Sequence, residues 1–264
     1  LSGARWSVTD AYIYESIRSP RTKAKESGGL HELTPSELLA QLYETLARRQ
    51  NLDPSVVSEI ILGCVTQYGE QAANIAKTSS LLARWPATVA GMTLNRFCSS
   101  SIDAISLAAL KVAAGHSSVV LAGGVEMMSR VPLMADRARV FADHEYGVSH
   151  QVLLMGAGAD LIAERVGASR ADCDAVAYLS HQRALRAQHE GRFTSVVPIK
   201  TPSGSVSLDE CIRPLLTAER LAAMPPAFLT LGAAGSDAVQ LSQYPELTKI
   251  AHVHTAGNSP AMCD

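Results

Sequence analysis

Cys98 is the residue whose setting most favours chemistry. It falls in Asn95-Arg96-Phe97-Cys98-Ser99-Ser100-Ser101. The preceding run, Ala87 to Leu94, is short and apolar and reads as a buried strand. The following run, Ile102 to Gly115, is alanine-rich and reads as a helix with Gly115 as its stop. Cys98 is therefore expected at a strand-to-helix corner. First-turn N–H groups and the positive end of the helix dipole converge there, and such places favour thiolate, the form of sulfur that attacks a carbonyl. The plain alternative is an inert packed cysteine, because Cys is among the most buried residue types.

One helix later comes Val119-Val120-Leu121-Ala122-Gly123-Gly124-Val125-Glu126-Met127-Met128-Ser129, a second buried strand with a glycine pair. The two motifs together, Asn95 to Ser101 and Ala122 to Ser129, resemble those of the thiolases (acetyl-CoA acetyltransferases and 3-ketoacyl-CoA thiolases). The resemblance covers nearly the whole chain. It implies that Cys98 takes up an acyl group as a thioester. It also implies coenzyme A and acyl-CoA as substrates with no permanently bound cofactor, a homodimer or homotetramer, and work in fatty-acid or sterol side-chain metabolism. Ketosynthase-like condensing enzymes are the nearest other enzymes, but the Ala122 to Ser129 motif and a long insertion argue against them. A second reading, from another class, is a catalytically impaired thiolase-like domain that binds coenzyme A or a partner subunit.

Composition narrows the remaining classes. A chain of 264 residues can bury a sizeable core. A net charge of −2 gives no footprint for nucleic acid. No apolar run reaches the ~18 residues of a membrane span. The start, Leu1-Ser2-Gly3-Ala4-Arg5-Trp6, has no apolar h-region and does not read as a secretory signal. The five cysteines, at 64, 98, 173, 211 and 263, are odd in number and show no CxxC spacing. That argues for a reducing, cytoplasmic compartment and against zinc or a disulfide framework.

The elements that position Cys98 alternate. Asp10 to Ile17 reads as a first strand. Arg18 to Lys23 is a basic loop, read as solvated; the resemblance puts it near the mouth of the site. Thr34-Pro35-Ser36-Glu37 opens a helix to about Gln50, with Thr34 as N-cap, Pro35 at N1 and Glu37 closing a capping box. Leu38, Leu39, Leu42 and Leu46 line one of its faces. Ile60 to Val65 is a second strand, Gln67 to Gln71 a polar turn, and Ala72 to Ala83 a helix. This alternation implies an α/β unit with a mainly parallel sheet. Ala104, Ala108, Ala109 and Ala113 give the Cys98 helix a small face suited to close packing on both sides. The resemblance makes 1–130 a βαβαβαβ N-terminal core.

After Arg130 the composition shifts. Ser169 to about Glu190 reads as a long polar helix with a capping box closed by Asp172, and Val196 to Ile199 as an edge strand because of Pro198. By resemblance, 131–250 is an inserted α-rich loop domain that covers coenzyme A. The coenzyme contacts then fall on Met155, Arg213, Phe228, Ala256 and Ser259. Leu154 stands where the family usually has His, and Pro260 where it usually has Ser. The plain readings are a solvated charge for Arg213 and core packing for Phe228; Asp209, Glu210 and Glu219 read as surface charges. Leu229 to Lys249 is a candidate flap. His252-Val253-His254-Thr255 reads as a fifth core strand, making 251–264 the return strand of the core. Its two histidines share a face, but with no third ligand a polar core edge is the reading and no metal is expected.

The chain closes on Ala261-Met262-Cys263-Asp264, where the resemblance implies a further helix. The family's GHP histidine, NEAF asparagine and CxGGG cysteine do not occur, so the C-terminal thiolase domain is expected to lie outside these residues. General acid–base help is worth roughly 10²–10⁴-fold and one oxyanion donor about 10²–10³, so Cys98 alone would be slow. Part of a longer enzyme is the favoured reading over a degenerate relative. His116, His144 and His150 read as surface or loop residues. Ser99 and Ser101 stand at positions where the family has smaller residues, and they are expected to narrow the space beside the sulfur.

Overall fold

The computed structural model describes residues 9–264, so Leu1 to Trp6 lie outside the described residues. Two compact units emerge. The first comprises 9–136, 194–210 and 262–264; the second comprises 137–193 and 211–261. The division differs from the sequence reading: 194–210 belongs with the first unit, and 251–261 with the second.

In the first unit, helix α1 (Pro35–Gln50) begins as its sequence requires. Thr34 Oγ1 accepts the Glu37 N–H, and the Glu37 carboxylate takes the Thr34 N–H at 2.7 Å. Such a cap is worth about 1 kcal/mol. Left-handed Asn51 ends the helix. Strand β1 (Glu59–Gly63) follows, then α2 (Ile75–Leu82), β2 (Ala90–Leu94), α3 (Ser100–Ala113) and β3 (Val120–Gly124). The strands form a parallel sheet in the order β2-β1-β3. Because β1 alternates, Ile60 and Leu62 face one core with Leu39, Tyr43, Ile75 and Trp85. Ile61 faces the other side, against Ala104 and Ala108 of α3. The small side chains bring α3 close to the sheet.

A third core gathers Leu30, Leu33, Leu38, Met127, Val197 and Ile199. Beside it the hairpin β4 (Ile199–Thr201) and β5 (Gly204–Val206) pairs antiparallel.

Several expectations are corrected. Residues 10–17 form no strand: Tyr12, Ile13 and Tyr14 are 71%, 80% and 85% exposed, and pairing starts only at Arg18, whose N–H donates to Ser195 O. The alternation is present, but among the described residues no neighbouring strand pairs with it. β2 and β3 are half-buried rather than buried, because among the described residues each is an edge of the sheet and only β1 has neighbours on both sides. Helix α2 starts at Ile75, since Ala73 and Asn74 are left-handed and Asn74 is the N-cap. The outer face of α3 is bare, with Ile102 66% and Leu110 67% exposed, so α3 packs on one side only among the described residues.

The second unit is helical: α4 (Arg139–Ala142), α5 (His144–Ser149), α6 (Met155–Val166), α7 (Arg170–His189), α8 (Ala218–Ala222), α9 (Leu229–Leu231) and α10 (Asp237–Gln243). The side chain of His144 lies outside what is described. The Ser169 capping box forms with Asp172 as expected. The candidate flap at 229–249 contains α9 and α10, joined through a kink at Gly235 with φ 122°. Residues 252–255 form no strand; a single bridge joins Thr255 to Pro226.

Candidate active site

The corner at Cys98 is built by two glycines and one unusual backbone angle. Gly63 ends β1 and Gly124 ends β3. A Cβ on Gly63 would lie 2.5 Å from the backbone of Ser100 and Ser101. One on Gly124 would lie 2.0 Å from Ser101 Oγ. Only glycine lets the first turn of α3 rest on the ends of these strands. The Ser101 hydroxyl therefore lies against Gly124.

Cys98 is exposed, two residues before α3 begins. Phe97, just before it, has φ 48°, a left-handed conformation that costs a side-chain-bearing residue about 1–2 kcal/mol. Three hydrogen bonds hold it. Asn95 Oδ1 accepts the Phe97 N–H at 2.8 Å, and the Phe97 carbonyl accepts from Ser100 Oγ at 2.6 Å and Ser100 N at 3.0 Å. Ser100 Oγ in turn accepts the Arg96 N–H at 2.9 Å. Arg96 and Asp103, in the first turn of α3, pair at 2.5 Å. Sequence reasoning found Cys98 but gave no role to Asn95, Ser100 or Glu126.

Glu126 crosses the strand ends. It accepts Val65 N at 2.9 Å, Thr66 N at 3.3 Å and Gln71 Nε2 at 2.7 Å. Gln71, read from the sequence as part of a polar turn, is fully buried and also takes the Met127 N–H at 2.7 Å. Nearby Cys64 is buried, and burial with the Glu126 charge pushes its thiol up to about 12, so it stays protonated.

Two charges read as surface residues are not. Asp209 accepts both nitrogens of the Arg18 fork at 2.7 Å and the Arg21 N–H at 2.9 Å. Glu210 accepts from Gly29 N at 3.0 Å and Lys23 N at 3.1 Å. The basic loop is thus pinned through Arg18 and the backbone of Arg21 and Lys23, while Arg21 and Lys23 stay exposed to solvent as read.

The expected coenzyme residues lie in the second unit, Cys98 in the first, and each is described in its own unit. Met155 opens α6 and is 68% exposed. The Phe228 ring packs on Gly156 so closely that a Cβ there would meet it at 2.3 Å. Arg213 is not simply solvated: its Nη1 donates to Ala256 O at 3.0 Å, and its N–H to His181 Nδ1 at 3.1 Å. Burial and then the Arg213 charge lower His181. Ala256 is exposed and Ser259 half-buried. Between them, Asn258 shapes the turn, donating to Asp174 at 2.8 Å and to Val253 O at 3.1 Å. The structure thus joins Gly156 to Phe228 and Arg213 to Ala256.

Asp160 was missed; its signal is an acid set among apolar neighbours on α6. It is fully buried and accepts His252 Nδ1 at 2.9 Å and His254 Nδ1 at 2.7 Å. His252 Nε2 reaches Asp237 at 3.1 Å. Among the described residues no group of three or more His, Cys, Asp or Glu is arranged to hold a metal, and no helix is long and apolar enough to cross a membrane.

A parallel α/β unit presenting a cysteine at a strand-to-helix corner is the class that this fold and site define. The family model for the thiolase N-terminal domain matches residues 12–242. The chain is 37% identical over 232 residues to the 3-ketoacyl-CoA thiolase of Shewanella baltica, covering 84% of this chain and 58% of that protein. It is 34% identical over 235 residues to the 3-ketoacyl-CoA thiolase of Bacillus subtilis, covering 84% and 60%. The crystal structure of the Bacillus anthracis acetyl-CoA acetyltransferase superposes with a TM-score of 0.72 at 33% identity, covering 84% and 60%. This chain belongs to the thiolase family. It spans about 58% of the length of the first of these relatives.

Proposed function

We propose that the chain provides the acyl-accepting step of thiolase chemistry. The Cys98 sulfur attacks the thioester or 3-ketoacyl carbonyl of an acyl-CoA. For acetyl-CoA, the carbon–sulfur bond to the coenzyme breaks, coenzyme A leaves as the thiol with the Cys98 proton, and Cys98 holds the acetyl group. For a 3-ketoacyl-CoA, the bond between the α and β carbons breaks instead. Acetyl-CoA leaves with a proton on its methyl carbon, and free coenzyme A then removes the shortened acyl group from Cys98. The reverse direction is Claisen condensation of acetyl-Cys98 with a second acetyl-CoA.

The observation that carries this reading is the exposed Cys98 on a held, left-handed corner in front of α3. The packing of Phe228 on Gly156 and the Arg213–Ala256 contact support the second unit as the coenzyme A cover, with Met155 and Ser259 beside them. The reading extends to a cytoplasmic homodimer or homotetramer in fatty-acid or sterol side-chain metabolism. The odd number of cysteines and the lack of CxxC spacing support a reducing compartment.

A single-turnover assay tests it. Mixing the chain with acetyl-CoA should release up to one equivalent of coenzyme A thiol per chain, and Cys98→Ala should release none. If coenzyme A binds without any release, the chain is a binding domain and not an acyl acceptor.

A further inference from the structure

We infer that Asn95 is the positioning residue for Cys98, tying the left-handed Phe97 backbone to the end of β1 while Glu126 holds that end in place. The inference rests on reading Cys98 as the acyl acceptor, and it adds how the corner keeps the sulfur aimed.

Three strands end at this place, and in parallel α/β sheets sites form outside the carboxyl ends of strands. Three side chains cross-tie the ends. Asn95, just after β2, donates from Nδ2 to Val65 O at 3.1 Å and accepts the Phe97 N–H at 2.8 Å, so both ends of its amide are used. Val65 and Thr66, just after β1, give their N–H groups to Glu126, just after β3. Buried Gln71 closes the set, donating to Glu126 at 2.7 Å and Thr66 O at 2.9 Å.

Stability alone does not account for Asn95. The residue is exposed, and water could serve its partners if it were gone, so the net worth of its bonds to folding is small. Its effect on geometry is immediate. Phe97 is 60% exposed, and its backbone at φ 48° is held by the bonds to Asn95 Oδ1 and from Ser100. Release of the Asn95 bond removes the only one of these three that holds the Phe97 N–H, so the peptide before Phe97 can rotate, and that rotation carries Cys98 with it.

The test uses the 264-residue chain. Acetylation of Cys98 by acetyl-CoA is followed by mass spectrometry in the wild type, Asn95→Ala, Asn95→Asp and Asn95→Ala with Phe97→Gly. Asn95→Ala should slow acetylation by about a hundredfold, the usual scale for misplacing a reacting group, with little change in thermal midpoint. Glycine adopts φ 48° at no steric cost, so adding Phe97→Gly should restore about tenfold or more. Asn95→Asp keeps the acceptor for Phe97 but sets an oxygen against Val65 O, and it should fall between. It also serves if Asn95→Ala does not fold. An Asn95→Ala rate within twofold of the wild type, or no rescue by glycine, overturns the inference. If the wild type is not acetylated at all, the proposed function fails separately. Alkylation of Cys98 by iodoacetamide, with Cys173 as internal control, then judges the positioning role: the same ranking of variants supports it and equal rates overturn it.

Discussion

A Cβ placed on Gly63 would lie 2.5 Å from the carbonyl carbon of Ser100. The end of β1 and the start of α3 are therefore in backbone contact, and the corner that presents Cys98 depends on the absence of one methyl group. Backbone cannot swing aside as a side-chain tip can. Gly63→Ala should lower stability by about 3 kcal/mol and slow Cys98 acetylation as well. Urea denaturation and the acetylation rate check both; an unperturbed variant would show that the helix start is free to move.

Asp209 anchors the loop of Arg18 to Lys23. Burial would raise its carboxyl, but the Arg18 fork, the Arg21 N–H and the two positive charges hold it below the usual range. A lowered carboxyl contributes stability above the unfolded value of about 3.9, and that stability is lost as pH falls through the folded value. Asp209→Ala, which takes the carboxylate away from half-buried Arg18, should cost about 3 kcal/mol at pH 7. The gap from wild type should shrink below pH 4 in denaturant melts.

His252 gives the opposite slope. Burial lowers it, but the hydrogen bonds to Asp160 and Asp237 outweigh that, so its folded value is raised above 6.5. A raised histidine contributes stability that is full below about pH 6.5 and is lost as pH climbs through the folded value. The thermal midpoint of wild type minus that of His252→Gln should therefore be larger at pH 5.5 than at pH 9. Asp237 lies on α10, so proteolysis within 229–249 should quicken at high pH in the wild type.

Gly156 and Phe228 offer a test of the proposed coenzyme surface. Alanine suits a helix better than glycine by about 1 kcal/mol, so Gly156→Ala should not unfold α6. It would displace the Phe228 ring, which a Cβ meets at 2.3 Å. Coenzyme A affinity by calorimetry should fall by about tenfold, the worth of one good contact. An unchanged affinity would remove Phe228 from the coenzyme site.

What the sequence made legible was local. The capping boxes at Thr34 and Ser169 need partners three residues away, and both form. The corner at Cys98 was legible because strand, turn and helix adjoin in sequence. What stayed hidden depends on distant partners. Glu126 meets Val65 across 61 residues, and Asp209 meets Arg18 across 191; neither spacing leaves a local mark. Alternation at 10–17 suggested a strand, as did the run His252 to Thr255, but a strand also needs a neighbour to pair with. In the structure His252 and His254 turn instead to Asp160 on α6.

The central claim is that Cys98 accepts the acyl group. Peptide mapping after incubation with acetyl-CoA and with acetoacetyl-CoA tests it most directly. The account predicts one acetyl adduct, confined to the peptide bearing Cys98, removed by hydroxylamine and absent in Cys98→Ala. Acetylation spread over Cys173, Cys211 and Cys263, or none on Cys98 while coenzyme A binds, would contradict it.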